Sequence, residues 1–134
     1  MQKSQKTILK ISFLAAFGYG SWAVFVNYDH GMMAWMKAGL AQATSSFLMT
    51  FFLTNIAHNC CEKCGYGKKG IFLGFLSSFV VMVAAPYTAH SLSGTPRIWA
   101  SMAPGLIWGS IYIIGYLVTV DRKFRMTNDK PTIS

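Results

Sequence analysis

Apolar side chains fall in four long runs, at 11–28, 38–57, 70–89 and 98–120, and none of the four contains an Asp, Glu, Lys or Arg. Each is about 20 residues long, the length that a helix rising ~1.5 Å per residue needs to cross ~30 Å of hydrocarbon. The pattern predicts an all-α integral membrane protein with one domain, 1–134: a bundle of four transmembrane helices joined by short loops, with tails at 1–10 and 121–134. Lysines before the first run and "SWA" within it resemble a secretory signal, but Trp22 and the apolar "VFV" that follows favour a helix that is kept.

Polar positions inside the runs are ordered as well. In the second run Gln42, Ser46, Thr50 and Thr54 recur every fourth residue and lead to His58, with Ser45 and Asn55 beside them. Each step of four turns the position by about 40° on an ideal helix, so the set forms a slowly winding stripe. Such a stripe belongs against other helices, another subunit or a wet cavity. Two roles follow. The hydroxyls can bond back to carbonyls one turn earlier while Gln42 and Asn55 join neighbouring helices; or Gln42, Ser46, Thr50, Thr54 and Asn55 can line a path for a substrate or lipid headgroup.

Small residues also recur at this spacing: Ala16 and Gly20; Gly70, Gly74 and Ser78; Ser101, Gly105 and Gly109. Rows of this kind let membrane helices approach closely. Gly20, Gly74, Gly105 and Gly109 are therefore expected at helix contacts, within a protomer or between protomers. Pro86 and Pro104 each remove a backbone donor, and kinks there can open an outward-facing cleft or only curve the helices. Near the last run, Thr95 is placed to cap and Pro96 to occupy a first helical position.

Composition supports the lipid reading: 53% of residues are hydrophobic and 12% charged, against about 25% charged in soluble domains. The net charge of +8 does not point to nucleic acid, because the basic residues sit in clumps rather than along a phosphate-tracking face. Lys3, Lys6, Lys10, Lys63, Lys68, Lys69, Arg122, Lys123, Arg125 and Lys130 fall on one side of the expected membrane, and only Lys37 and Arg97 on the other. Basic flanks mark the cytoplasmic face. Both termini and the central loop are expected there, in a multi-pass protein of the cytoplasmic (inner) membrane. Tyr28, Trp35, Tyr87 and Trp99 fall at the outer boundary, where amphipathic rings favour headgroup level.

Catalytic chemistry is sparse. The acidic residues, Asp29, Glu62, Asp121 and Asp129, lie in connections or at a helix end, so a proton-coupled exporter with a membrane-embedded carboxylate is not expected. Asp29, His30 and His90 can meet at the outer mouth. The stretch "HNCCEKCGYGKKG" holds His58, Cys60, Cys61 and Cys64, a set with the ligand types of a zinc site. All come from seven residues, and adjacent cysteines do not easily reach one ion. Reduced thiols in a loop made flexible by Gly65, Gly67 and Gly70 are the simpler expectation.

No cofactor and no enzymatic activity are expected. The leading expectation is a non-catalytic membrane protein that handles passage or binding of a small polar or amphiphilic molecule, a lipid included. Its partners would be membrane lipids and copies of itself or a larger membrane protein. The alternative is an accessory or assembly subunit of a larger membrane complex, and behind it a metal or redox sensor built on the cysteine stretch.

Overall fold

The computed structural model describes residues 3–128; Asp129 and Lys130 lie outside the described residues. Among these residues the chain is helical throughout: α1 (Lys3–Asn27), a single 3-10 turn (Tyr28–His30), α2 (Met32–Cys64), α3 (Lys68–Ser93) and α4 (Ile98–Asn128). The helices overrun the apolar runs. Residues 3–10 and 121–128, expected as tails, continue α1 and α4, and the cysteines stand on the last turns of α2 rather than in a loop. Backbone hydrogen bonding does not stop where the side chains turn polar, so an apolar run marks the part of a helix suited to lipid and not its ends.

Among the described residues three segments are long and apolar enough to cross a membrane, at Leu9–His30, Lys68–Ser93 and Ile98–Asn128. The helix missing from that set is α2, whose stripe of Gln, Ser, Thr and Asn dilutes its apolar character. Yet α2, like α4, touches all the other helices, whereas among the described residues α1 and α3 do not meet. Short connections make sequential neighbours antiparallel. One end of the bundle, here the near end, carries the α2–α3 turn, the start of α1 and the end of α4; the far end carries the 3-10 turn and the α3–α4 connection.

Large apolar side chains cover the outside: Phe13, Leu14, Phe17, Phe25, Leu40 and Phe72 are all exposed. The interior mixes small and polar groups, including Ser12, Asn27, Gln42, Ser78, His90 and Ser101, with an apolar cluster of Leu53, Ala57, Cys61, Met82, Ile113 and Leu117. This distribution suits a lipid solvent, in which close backbone approach and interhelical hydrogen bonds hold helices together. A Cβ on Gly20 would stand 3.0 Å from Ala43 Cβ, one on Gly74 2.9 Å from Leu117, and one on Gly109 2.6 Å from the Met82 sulfur. These glycines therefore mark contacts inside the protomer.

The near end is clasped. Gly65 and Gly67 have φ of 84° and 101°, which glycine adopts at no steric cost, and they turn the chain within three residues. Asp121, expected in a tail, is instead 7% exposed. It accepts hydrogen bonds from the Gly67 amide at 2.6 Å and from Arg125 Nε at 2.9 Å. Tyr66 stacks on Phe124 at 3.7 Å between ring centroids. The glycine-rich stretch is thus a fixed turn docked on α4 and not a flexible loop.

At the far end, Tyr28 stacks with Trp35 and Tyr87 packs on Trp99. Asn27 is fully buried, donating to Ala23 O and Ser101 Oγ, both at 2.8 Å, and accepting from the Arg97 amide at 3.0 Å. A side chain from α1 thereby takes up an amide at the start of α4, the task expected of Thr95. Trp22 Nε1 donates to Ala100 O at 2.9 Å, which ties α1 to α4 a second time.

Candidate functional site

Inside the bundle lies a cavity of about 290 Å³, near the lower bound of small-molecule sites, ~300–1,000 Å³. All four helices contribute: Ile11, Ala15 and Tyr19 from α1, Gln42, Ser46, Met49, Thr50 and Leu53 from α2, Met82 and Pro86 from α3, and α4 from Met102 to Tyr112. At the far end it is closed by buried Gln42, Pro86 and Met102 and by the α1–α4 bonds beyond them. Its exposed walls are Ile11, Trp108 and Tyr112, so it opens sideways between α1 and α4 rather than as the outward-facing cleft that the prolines allow. Pro86 forms part of the wall, whereas Pro104 does not.

The second-helix stripe divides between the two roles open to it. Gln42, Ser46 and Thr50 line the cavity. Thr50 donates back to Ser46 O at 2.9 Å, the intrahelical bond that satisfies a hydroxyl in an apolar setting. One turn further, Thr54 pairs with the Tyr112 hydroxyl at 3.4 Å, at the cavity's edge. Asn55 is exposed on another face and donates to Phe51 O. Of the packing glycines, Gly105 and Gly109 also line the cavity, with Gly105 facing the Gln42 amide.

Behind the cavity wall runs a buried chain of side chains. Gln42 Oε1 lies 2.6 Å from His90 Nε2, His90 Nδ1 lies 2.9 Å from Thr95 Oγ1, and Gln42 Nε2 donates to Ser46 Oγ at 3.3 Å. His90 is therefore drawn inward. It does not join Asp29 and His30, which pair with each other at 2.9 Å while Arg97 binds Asp29 at 2.9 Å. The link from Gln42 to His90 was not legible beforehand, because 48 residues separate the two and only helix packing brings them together.

On α2 the cysteines diverge. Cys60 and Cys64, one turn apart, have their sulfurs at 3.8 Å, while Cys61 is buried against Gly70. The Nδ1 of His58 is buried without a partner. Among the described residues no group of three or more His, Cys, Asp or Glu is placed to hold a metal ion. Burial, and after it the Asp121 carboxylate and the neighbouring thiols, push the Cys61 thiol above its ordinary pKa. The hydrogen bond with Cys60 and then desolvation do the same for Cys64, with Lys69 opposing them.

Comparison of the chain with known protein families, with curated proteins and with solved structures finds no match. What the site can do has to be read from its own geometry. It offers a sideways-open apolar space with uncharged polar groups along one wall.

Proposed function

We propose that the chain is a non-catalytic, multi-pass protein of the cytoplasmic membrane that binds a small amphiphilic molecule in the cavity that all four helices line. All four helices span the bilayer in this reading, with both termini and the α2–α3 turn on the cytoplasmic side. The cavity carries the proposal. Three members of the polar stripe, Gln42, Ser46 and Thr50, share one space with Met49, Met82, Leu106 and Trp108. An apolar pocket with a few convergent polar groups is the usual form of a small-molecule site, and a lateral opening admits a molecule already dissolved in lipid.

The accessory-subunit reading drew on the glycine rows. Gly20, Gly74 and Gly109 are taken up by neighbours in the same chain, so the cavity supports the binding reading more directly than these rows support a large partner. The basic clumps at the near end support the proposed orientation. Native mass spectrometry of protein released from nanodiscs tests the reading: a retained small amphiphile is expected on the wild type and lost on Ser46→Phe, which fills the cavity. Wild type that retains none, or equal retention by both proteins, would sink it.

A further inference from the structure

The buried chain behind the cavity decides which polar atoms the cavity presents. Thr95 is 6% exposed and His90 fully buried. Among the described residues the Thr95 hydroxyl has one partner, His90 Nδ1. A buried hydroxyl proton without an acceptor is costly, so Thr95 donates to Nδ1 and the imidazole carries its proton on Nε2. That proton goes to Gln42 Oε1 at 2.6 Å. The amide is thereby fixed, with its oxygen toward His90 and its NH2 toward Ser46 and the space over Gly105. The opposite arrangement, with Nδ1 as donor and the amide flipped, would leave the buried Thr95 proton without an acceptor among the described residues.

Donors consequently face the cavity. One Gln42 N–H goes to Ser46 Oγ, and the other has no acceptor among the described residues. Ser46, accepting from the amide, keeps its own proton for the cavity, and the Tyr19 hydroxyl in the opposite wall has no partner among the described residues. Among the described residues no Asp, Glu, Lys, Arg or His lines the space, a lining that disfavours a charged headgroup at this depth. Along α2, Gln42 lies seven residues past Trp35, about 10 Å deeper at ~1.5 Å per residue, well below the level of glycerolipid ester groups.

We propose that the cavity selects neutral lipophiles carrying a carbonyl-type hydrogen-bond acceptor, read by the Gln42 amide and Ser46 hydroxyl that the Thr95–His90 pair holds in donating position. This rests on the cavity being a ligand site, as proposed above. The specificity lies in the fixed amide: an acceptor gains bonds there, while an alkane leaves the donors unpaired.

The full chain in nanodiscs of ether-linked lipid, which lack ester carbonyls, tests this with two probes, a terminally brominated long-chain 2-alkanone and the brominated alkane of equal length. Binding is read as the quenching that disappears in Trp108→Phe. The ketone is expected to bind about tenfold tighter, the scale of one net hydrogen bond, and Gln42→Leu to bring it to the alkane's affinity. Equal affinities in the wild type, which require no variant to fold, would overturn the selectivity while leaving the cavity a ligand site. Quenching by neither probe would overturn both. A ketone preference that survives Gln42→Leu would overturn the assignment of the donor. Ester-linked lipid is expected to leave the ketone affinity unchanged; displacement of the ketone there would make a bilayer ester the occupant and overturn the choice of a free lipophile.

Discussion

Asp121 shows how one side chain can hold an end of the bundle. Its carboxylate takes up the Gly67 amide of the α2–α3 turn and Arg125 on its own helix. The exposed Arg125 partner contributes little, about 0.3–0.5 kcal/mol, so the buried bond to the turn dominates. Asp121→Ala is expected to cost about 1.5–3 kcal/mol, seen as a lower thermal midpoint in detergent. It should also free Cys61, whose thiol is held above its ordinary pKa first by burial and then by this carboxylate. In a Cys60→Ser/Cys64→Ser background, maleimide should react slowly at neutral pH, speed up as pH rises through the raised pKa, and react faster throughout once Asp121 is Ala. An unchanged midpoint with unchanged labelling would show that the turn is held by the Tyr66–Phe124 stack alone. Of these residues the sequence revealed the thiols and the lysines around them. Asp121 looked like the first residue of a tail, because nothing local distinguishes a helix-terminal carboxylate in water from one folded over a turn 54 positions away.

At the scale of elements, helix existence was legible and helix extent was not. Four charge-free runs announce four helices, but α2 continues through Cys64 because its last turns bury Ala57 and Cys61. The four-residue periodicities were legible in part. Every small-residue row meets a neighbour, whereas the polar stripe winds far enough that Gln42, Ser46 and Thr50 reach the cavity and Asn55 leaves it. Glycine contacts separate cleanly by substitution. Gly74→Ala would bring a methyl to 2.9 Å from Leu117 and 3.1 Å from the Ala57 carbonyl, and backbone cannot yield as a side-chain tip can. An overpacking cost of about 1–3 kcal/mol is expected. Gly115→Ala meets nothing within 4 Å and should stabilise α4 by up to ~1 kcal/mol through helix propensity. Thermal midpoints of the two variants measured side by side check this, and a Gly74→Ala protein as stable as Gly115→Ala would mean that α2, α3 and α4 pack less closely than the structure has them.

For the whole molecule, the number of spanning helices decides where the termini lie. Among the described residues three segments are apolar enough to cross on hydropathy, and an odd number of crossings would place the termini on opposite sides. The packing argues for four. α2 lies against every other helix, it runs antiparallel to both α1 and α3, and its polar groups turn inward to His90 and the cavity. A helix of that kind enters lipid as part of the bundle, with its stripe shielded by neighbours that hydropathy averaged over a single segment does not see. On the proposed four-span topology ten of the twelve basic residues of the sequence belong to one side, and the excess of Lys and Arg is the reason for proposing that side as the cytoplasmic one. Fusions to the carboxy terminus are therefore expected to give fluorescent green fluorescent protein and inactive alkaline phosphatase, and a reporter placed after Gly31 to give the reverse. If the carboxy-terminal phosphatase is active instead, α2 does not span, and the cavity that all four helices line cannot exist as described.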